Sequence, residues 1–167
     1  NQNPVSFGTA TAGNGIAFTG GNKEQRWGRL VLDNAFGSEL LPVEIPIRAE
    51  YQSSGDFITN TDDGCTAYTS ANISFNNHSG ITAGANLSAS GAGTLISGVD
   101  DDANPVILSN TLLETGSVDV TYTLGLPLSW LLYDWDNDTN HDNDSSSRAT
   151  WGIFAGPDEF IYIREPW

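Results

Sequence analysis

Apolar and polar residues alternate along 41–51, where Leu41, Val43, Ile45, Ile47, Ala49 and Tyr51 interleave with Pro42, Glu44, Pro46, Arg48 and Glu50. A period of two sends successive side chains to opposite faces, so this run predicts a strand with one face in a core. Pro42 and Pro46 have the same parity and remove their N–H groups from the same edge. Proline cannot donate to a ladder, so the run reads as an edge strand protected from stray pairing. A second alternation sets Val118, Val120, Tyr122 and Leu124 against Ser117, Asp119, Thr121 and Thr123. Shorter strands are predicted over 27–33, 67–75, 94–97, 106–109, 130–135, 151–154 and 160–164, with turns at 34–37, 76–80 and 155–158. The Gly-, Ala- and Ser-rich stretch 80–98 carries Ile81, Leu87, Leu95 and Ile96, and predicts a weakly patterned strand pair. Only 25–30 and 109–114 accommodate a helical turn. The expected fold is all-β: a single-domain antiparallel β-sandwich with long acidic loops over 18–167, preceded by an extended segment, 1–17, of the same domain.

Composition narrows the function. A chain of 167 residues suffices for one domain with a proper core. It has no Met, so it reads as a processed or excised segment, and its single cysteine, Cys65, allows no internal disulfide and is expected as a buried thiol. Six Lys and Arg face 21 Asp and Glu, for a formal charge of −15. Phosphates and anionic membrane surfaces would be repelled, so no nucleic-acid partner is expected. No apolar run approaches the roughly 20 residues that span a bilayer, so no membrane insertion by this segment is expected. The acidity is local: Asp62-Asp63, Asp100-Asp101-Asp102 and the five aspartates of 134–144 supply ten of the acidic residues, with no Lys or Arg among them.

The run 134–144 carries oxygen ligands at alternate positions: Asp134, Asp136, Asp138, Asn140, Asp142 and Asp144. Calcium takes six to eight hard oxygen donors, often from one curling loop. Asp134, Asp136, Asp138 and Asn140 have the spacing of the first four side-chain ligands of such a loop. Thr139 stands where an EF-hand needs glycine and Ser145 where it needs glutamate, and the flanks read as strands, so a structural calcium loop of another kind is expected. His141 alone among aspartates is poor zinc spacing. Asp62, Asp63, Asp100, Asp101 and Asp102 are candidates for a second ion, and equally for Asx turns. Trp130, Trp135 and Trp151 lie near the acidic run and are candidates for stacking on a sugar, or for core packing. No nucleophile elbow, phosphate loop, dinucleotide fingerprint or His-Glu-x-x-His stretch occurs, and a non-enzymatic role is expected.

Several segments in order carry a resemblance. They are Arg26-Trp27-Gly28-Arg29-Leu30, Asn34-Ala35-Phe36-Gly37 through Pro42, Asn60-Thr61-Asp62-Asp63-Gly64-Cys65-Thr66, Gly116-Ser117-Val118, Trp130 to Asp136, Arg148-Ala149-Thr150-Trp151-Gly152-Ile153-Phe154 and Ile161-Tyr162-Ile163-Arg164-Glu165. As a set, running from about Phe18 to the C-terminus, they resemble the C-terminal domain of MshQ-like proteins, associated with the mannose-sensitive haemagglutinin (MSHA) pilus of Gram-negative bacteria. Asp134 and Asp136 match that family's Tyr-Asp-Trp-Asp motif, and Trp151 stands where it usually has Phe. The resemblance implies export and a cell-surface setting in pilus adhesion or assembly, and brings no catalytic residues. The expected partner is a surface glycan or a pilus component. Two further readings are a calcium-assisted carbohydrate-binding module, and a self-associating subunit that adds residues 1–7 to a neighbour's sheet edge.

Overall fold

Hydrophobic alternation sets the strands, and glycine and proline set where they change sheet. The computed structural model describes residues 26–152. The segment 1–17, the strand at 160–164 and the turn at 155–158 lie outside the described residues. Twelve strands run in chain order: β1 (Gly28–Leu32), β2 (Ala35–Gly37), β3 (Val43–Glu44), β4 (Ile47–Ser53), β5 (Asp56–Thr59), β6 (Ala67–Thr69), β7 (Ile73–Ser79), β8 (Leu87–Ser90), β9 (Ala92–Thr94), β10 (Ile107–Asn110), β11 (Gly116–Tyr122) and β12 (Ser145–Trp151). Two 3₁₀ turns, Ser70–Asn72 and Leu126–Leu131, are the described helical elements. The sheets have the orders β2-β12-β11-β7, β1-β4-β5, β3-β10-β8 and β6-β9. The fold is all-β and sandwich-like, as the alternation predicts.

All four sheets feed one core. Leu30 and Leu32 of β1, Ile47 and Ala49 of β4, Leu108 of β10, Val118, Val120 and Tyr122 of β11, Ala149 and Trp151 of β12 and Tyr68 of β6 are buried in a single cluster. Fully burying a side chain of this size is worth about 1.5–3 kcal/mol, so this cluster supplies the main driving force. The β1-β4-β5 sheet is tied to β12 where the Leu32 N–H donates to Ser145 Oγ at 3.0 Å.

The run 41–51 departs from the prediction in an informative way. Its core-facing parity holds through Val43, Ile45, Ile47 and Ala49. It is nevertheless two strands broken at Pro46, not one edge strand. β3 is an edge strand beside β10, whereas β4 lies between β1 and β5. Pro46 cannot extend a ladder, and the chain changes sheet there: the Ile45 N–H goes to the Val106 carbonyl at 3.0 Å, and the Pro46 carbonyl takes the Asp33 N–H at 3.0 Å. Polar parity also fails once, because Glu50 is buried at 7 % exposure.

Other segments are corrected too. The expected turn at 34–37 is β2, which pairs with β12 in parallel, the one departure from antiparallel pairing among the described ladders. The expected turn at 76–80 is mostly β7, bulged against β11 where Asn77 takes φ 49°. The run 67–75 is interrupted by the Ser70–Asn72 turn, capped by Thr69. The strand pair in 80–98 exists as β8 and β9, but Gly91 (φ 107°) sends them to different partners, β10 and β6. A Cβ on Gly91 would lie 2.1 Å from the Pro105 carbonyl oxygen, so only glycine fits that crossing. The predicted strand 94–97 is a tight turn beyond its first residue, and 109–114 begins in β10 instead of a helix. The predicted strand 130–135 begins in the second 3₁₀ turn, where Pro127 sits at the start after Gly125. The strand placed at 151–154 starts earlier, at Ser145.

Candidate cation-binding loop and its aromatic base

The acidic run is a loop thrown out between β11 and β12. The Leu126–Leu131 turn buries Leu131 against Gly28 and delivers Tyr133 to the outer side of β1. Tyr133 and Asn143 then close the loop with a two-way backbone bridge at 3.2 and 3.1 Å, and the Trp135 N–H donates to Asn143 Oδ1 at 3.1 Å. Within it the aspartates fold the backbone around themselves. Asp134 Oδ1 accepts the Asp138 N–H at 2.9 Å and its Oδ2 the Thr139 N–H at 3.1 Å. Asp136 Oδ1 accepts the Asp138 N–H at 3.3 Å. Asp138 accepts the Asn140 N–H at 2.8 Å and the Asn140 amide at 3.0 Å. The backbone N–H of Asn140, followed by its side-chain amide, holds the Asp138 carboxyl below the usual carboxylate range.

The outcome is convergence. Asp134, Asp136 and Asp138 each offer one carboxylate oxygen, and these atoms lie within 4.8 Å of one another. Asp134 is half-buried and the other two are exposed. Asn137 (φ 61°) and Thr139 (φ 76°) are left-handed, and Thr139 is the position at which a calcium loop favours glycine. Asp142 is exposed and stands apart from this triad. Asp144 is turned to another task, its Oδ1 accepting the Leu124 N–H at 2.8 Å where the loop leaves β11. Asn140 is engaged with Asp138.

The residues proposed for a second ion do not form such a group among the described residues. Asp62 pairs with Arg26 at 2.7 Å. Asp63 is buried and accepts from the Cys65 N–H, the Thr66 N–H and the Thr66 hydroxyl, an Asx turn. Burial pushes its carboxyl up, and these hydrogen bonds more than offset it, leaving it below the usual range. Cys65 is exposed, not buried, because this turn holds it at the surface. Asp101 makes a similar turn with the Ala103 N–H and the Asn104 amide.

The loop rests on an arginine ringed by aromatics. The Arg29 guanidinium lies 3.9 Å from the centroid of Phe57, 4.8 Å from Trp135 and 4.9 Å from Tyr133. Its Nε and terminal nitrogen reach Glu50 Oε2 at 2.9 and 2.8 Å, while Arg48 Nε reaches Glu50 Oε1 at 2.7 Å and also bonds Asp33. Burial pushes Glu50 up, but the hydrogen bonds of Arg48 and Arg29 prevail and hold its carboxyl below the usual range. His141 completes the surface, parallel to Tyr133 at 5.6 Å and 4.9 Å from Trp27. Contacts of a cation with aromatic faces are worth about 0.5–2 kcal/mol each, so the loop's ends are fixed even where its tip is exposed.

Of the three Trp predicted for ligand stacking, Trp130 is 55 % and Trp135 37 % exposed, whereas Trp151 is 1 % exposed and belongs to the core. Its alternation partners on β12 face inward, which excludes it from a surface site. Trp27 and Arg29, absent from the predicted set, are the residues that complete the aromatic surface. The alternation of β1 alone does not distinguish an outward Arg that anchors a loop from one that is merely solvated.

An acidic-looped, sandwich-like module with no recognisable catalytic motif is the class this fold and site define. The chain belongs to the DUF6701 family, an uncharacterised domain family, matching its fourth domain over residues 26–166. No curated protein and no solved structure matches it.

Proposed function

We propose that this chain is a non-enzymatic module of an exported bacterial surface protein, working in adhesion or assembly in the pilus-associated setting that its MshQ-like segments imply, with calcium fixing the 134–144 loop. The observation that carries the reading is the convergence of Asp134, Asp136 and Asp138 on one point. Their oxygens already accept backbone N–H groups, yet each carboxylate oxygen has a second lone pair to offer. Calcium there would cancel the mutual repulsion of the triad and hold one loop shape above Arg29 and its rings; the remaining ligands would be backbone carbonyls and water.

A second reading, a calcium-assisted carbohydrate-binding module, is favoured by the exposure of Trp27 (40 %) and Trp135 (37 %) beside the triad. Tyr133 and Trp135 meet edge-on at 66°, so these rings form a corrugated surface and not a flat platform.

Thermal unfolding in calcium and in chelator tests the first reading. Sites in extracellular modules bind at about 10⁻⁴–10⁻³ M. At 5 mM calcium, a constant near 0.5 mM adds about 1.4 kcal/mol, or about 3–5 °C in midpoint. Asp136→Asn should abolish that difference. Equal midpoints for the unsubstituted chain in calcium and chelator would refute the calcium site.

A further inference from the structure

We propose that the pocket lined by Ile96, Val99, Asp100, Asp101 and Asp102 is a docking site for one basic side chain, a lysine or arginine presented by a segment of a partner protein. The pocket has a volume of about 160 Å³. At roughly 30 Å³ per water it has the room of about five waters, the scale of one long side chain.

The walls are built and not incidental. Ile96 and Val99 bond each other's backbones at 2.7 and 3.2 Å across a two-residue turn in which Ser97 (φ 52°) and Gly98 (φ 82°) are both left-handed. A Cβ on Gly98 would stand 2.4 Å from the Asn60 carbonyl oxygen, so this turn has one shape. It is fastened to β4 through the Ala49 N–H to the Gly98 carbonyl at 2.8 Å and the Asp100 N–H to the Ile47 carbonyl at 2.9 Å.

Its chemistry lacks a cation. Asp100 Oδ1 accepts the Ile47 N–H at 3.1 Å. Asp100 Oδ2 is buried and has no hydrogen-bond partner among the described residues, an arrangement that proteins seldom leave unanswered. Burial pushes the Asp100 carboxyl above the usual range, and Asp102 and Asp101 push it further. Burial, then Asp100 and Asp102, do the same to Glu44 beside them. No Lys or Arg contributes to either group.

A metal ion does not answer this need, because these carboxylates do not converge as Asp134, Asp136 and Asp138 do. An ammonium or guanidinium presents several N–H donors and can bridge acids that stand apart. Its aliphatic stem would cover Ile96 and Val99, which are 56 % and 42 % exposed. Charge complementarity selects the partner: a chain of formal charge −15 draws basic segments and repels acidic ones.

The test is a nuclear magnetic resonance titration of the 167-residue chain with acetyl-Gly-Lys-Gly-amide, its norleucine analogue and spermidine. The lysine peptide should shift the Ile96 and Val99 methyls and the 100–102 amides saturably, and the norleucine peptide should not. The exposed change Asp102→Asn should weaken the lysine peptide about threefold, the strength of one exposed ion pair. Ile96→Ser should weaken it without altering charge. Shifts shared equally with 134–144, or indifferent to Asp102→Asn, would reduce the effect to general counter-ion attraction and overturn the proposal. So would a pocket that saturates with spermidine and ignores the lysine peptide.

Discussion

Glu50 and Asp100 both lie against strand β4, and their surroundings drive them in opposite directions. Glu50 is buried yet ionised, because Arg29 and Arg48 supply charge-assisted hydrogen bonds to both of its oxygens. Asp100 is held by one backbone N–H and faces further acids, and its carboxyl rises. Burial disfavours the charge in both cases, so what separates them is whether cations come with it. The pairing is also what holds the acidic loop down, because the Arg29 that neutralises Glu50 is the cation on which Tyr133 and Trp135 sit.

The sharpest way to break this contrast is to make Glu50 resemble Asp100. Arg29→Ala removes one of its two cations and the centre of the aromatic cluster, leaving a buried charge half-answered. Removing one partner of a buried pair costs about 3–5 kcal/mol when no other cation remains. With Arg48 still present, a loss of about 3 kcal/mol is expected in denaturant unfolding. Fluorescence of Trp135 should change with it, since its ring loses the guanidinium. A loss below about 0.5 kcal/mol, the level of an ordinary surface change, would show that Arg48 alone suffices and that the contrast is misdrawn.

A smaller effect appears in the pH dependence. Glu50 and Asp63 have folded-state values below their unfolded ones, so their stabilisation is present above the unfolded value and is lost as pH falls through the folded one. Asp100 and Glu44 have raised folded-state values, so their contribution is present at low pH and is lost as pH rises. The groups therefore oppose each other in acid. Glu50→Gln should flatten the rise of stability from acid toward neutral pH, measured as unfolding free energy at several pH values. An unchanged slope would mean that the two arginines do not favour the charged form.

The sequence reveals half of this. Period-two alternation identifies the core positions of β4 and β11 because each side chain's face depends only on its neighbours along the chain. The spacing of Asp134, Asp136 and Asp138 likewise identifies the converging triad, because a single loop brings them together. What depends on distant segments is not legible. Glu50 looks like an outward polar position until Arg29 arrives from β1. Asp144 looks like a sixth ligand until Leu124 claims it. Trp151 looks like part of the loop surface until β2 and β11 enclose β12. Pro46 announces a break in pairing, but not that the chain changes sheet there and places β4 at a sheet centre. Asp100 reads as one of three solvated acids, and its unanswered oxygen emerges only when the 96–99 turn pins it to Ile47.

The least disruptive change tests the other half of the contrast. Asp100→Asn keeps an oxygen for the Ile47 N–H and removes the charge that Asp102 and Glu44 oppose. Near neutral pH it should stabilise the chain slightly, by about 0.5 kcal/mol, which is at the edge of ordinary surface effects. Its pH dependence is therefore the decisive part. Because the folded-state value of Asp100 is raised, its ionisation costs stability only after pH rises through that value, so the gain should vanish in acid and grow toward neutral. A gain of equal size at every pH would indicate repacking around the amide. A loss near neutral pH would mean that the charge on Asp100 is already answered, and the pocket would have no deficit for a basic side chain to fill.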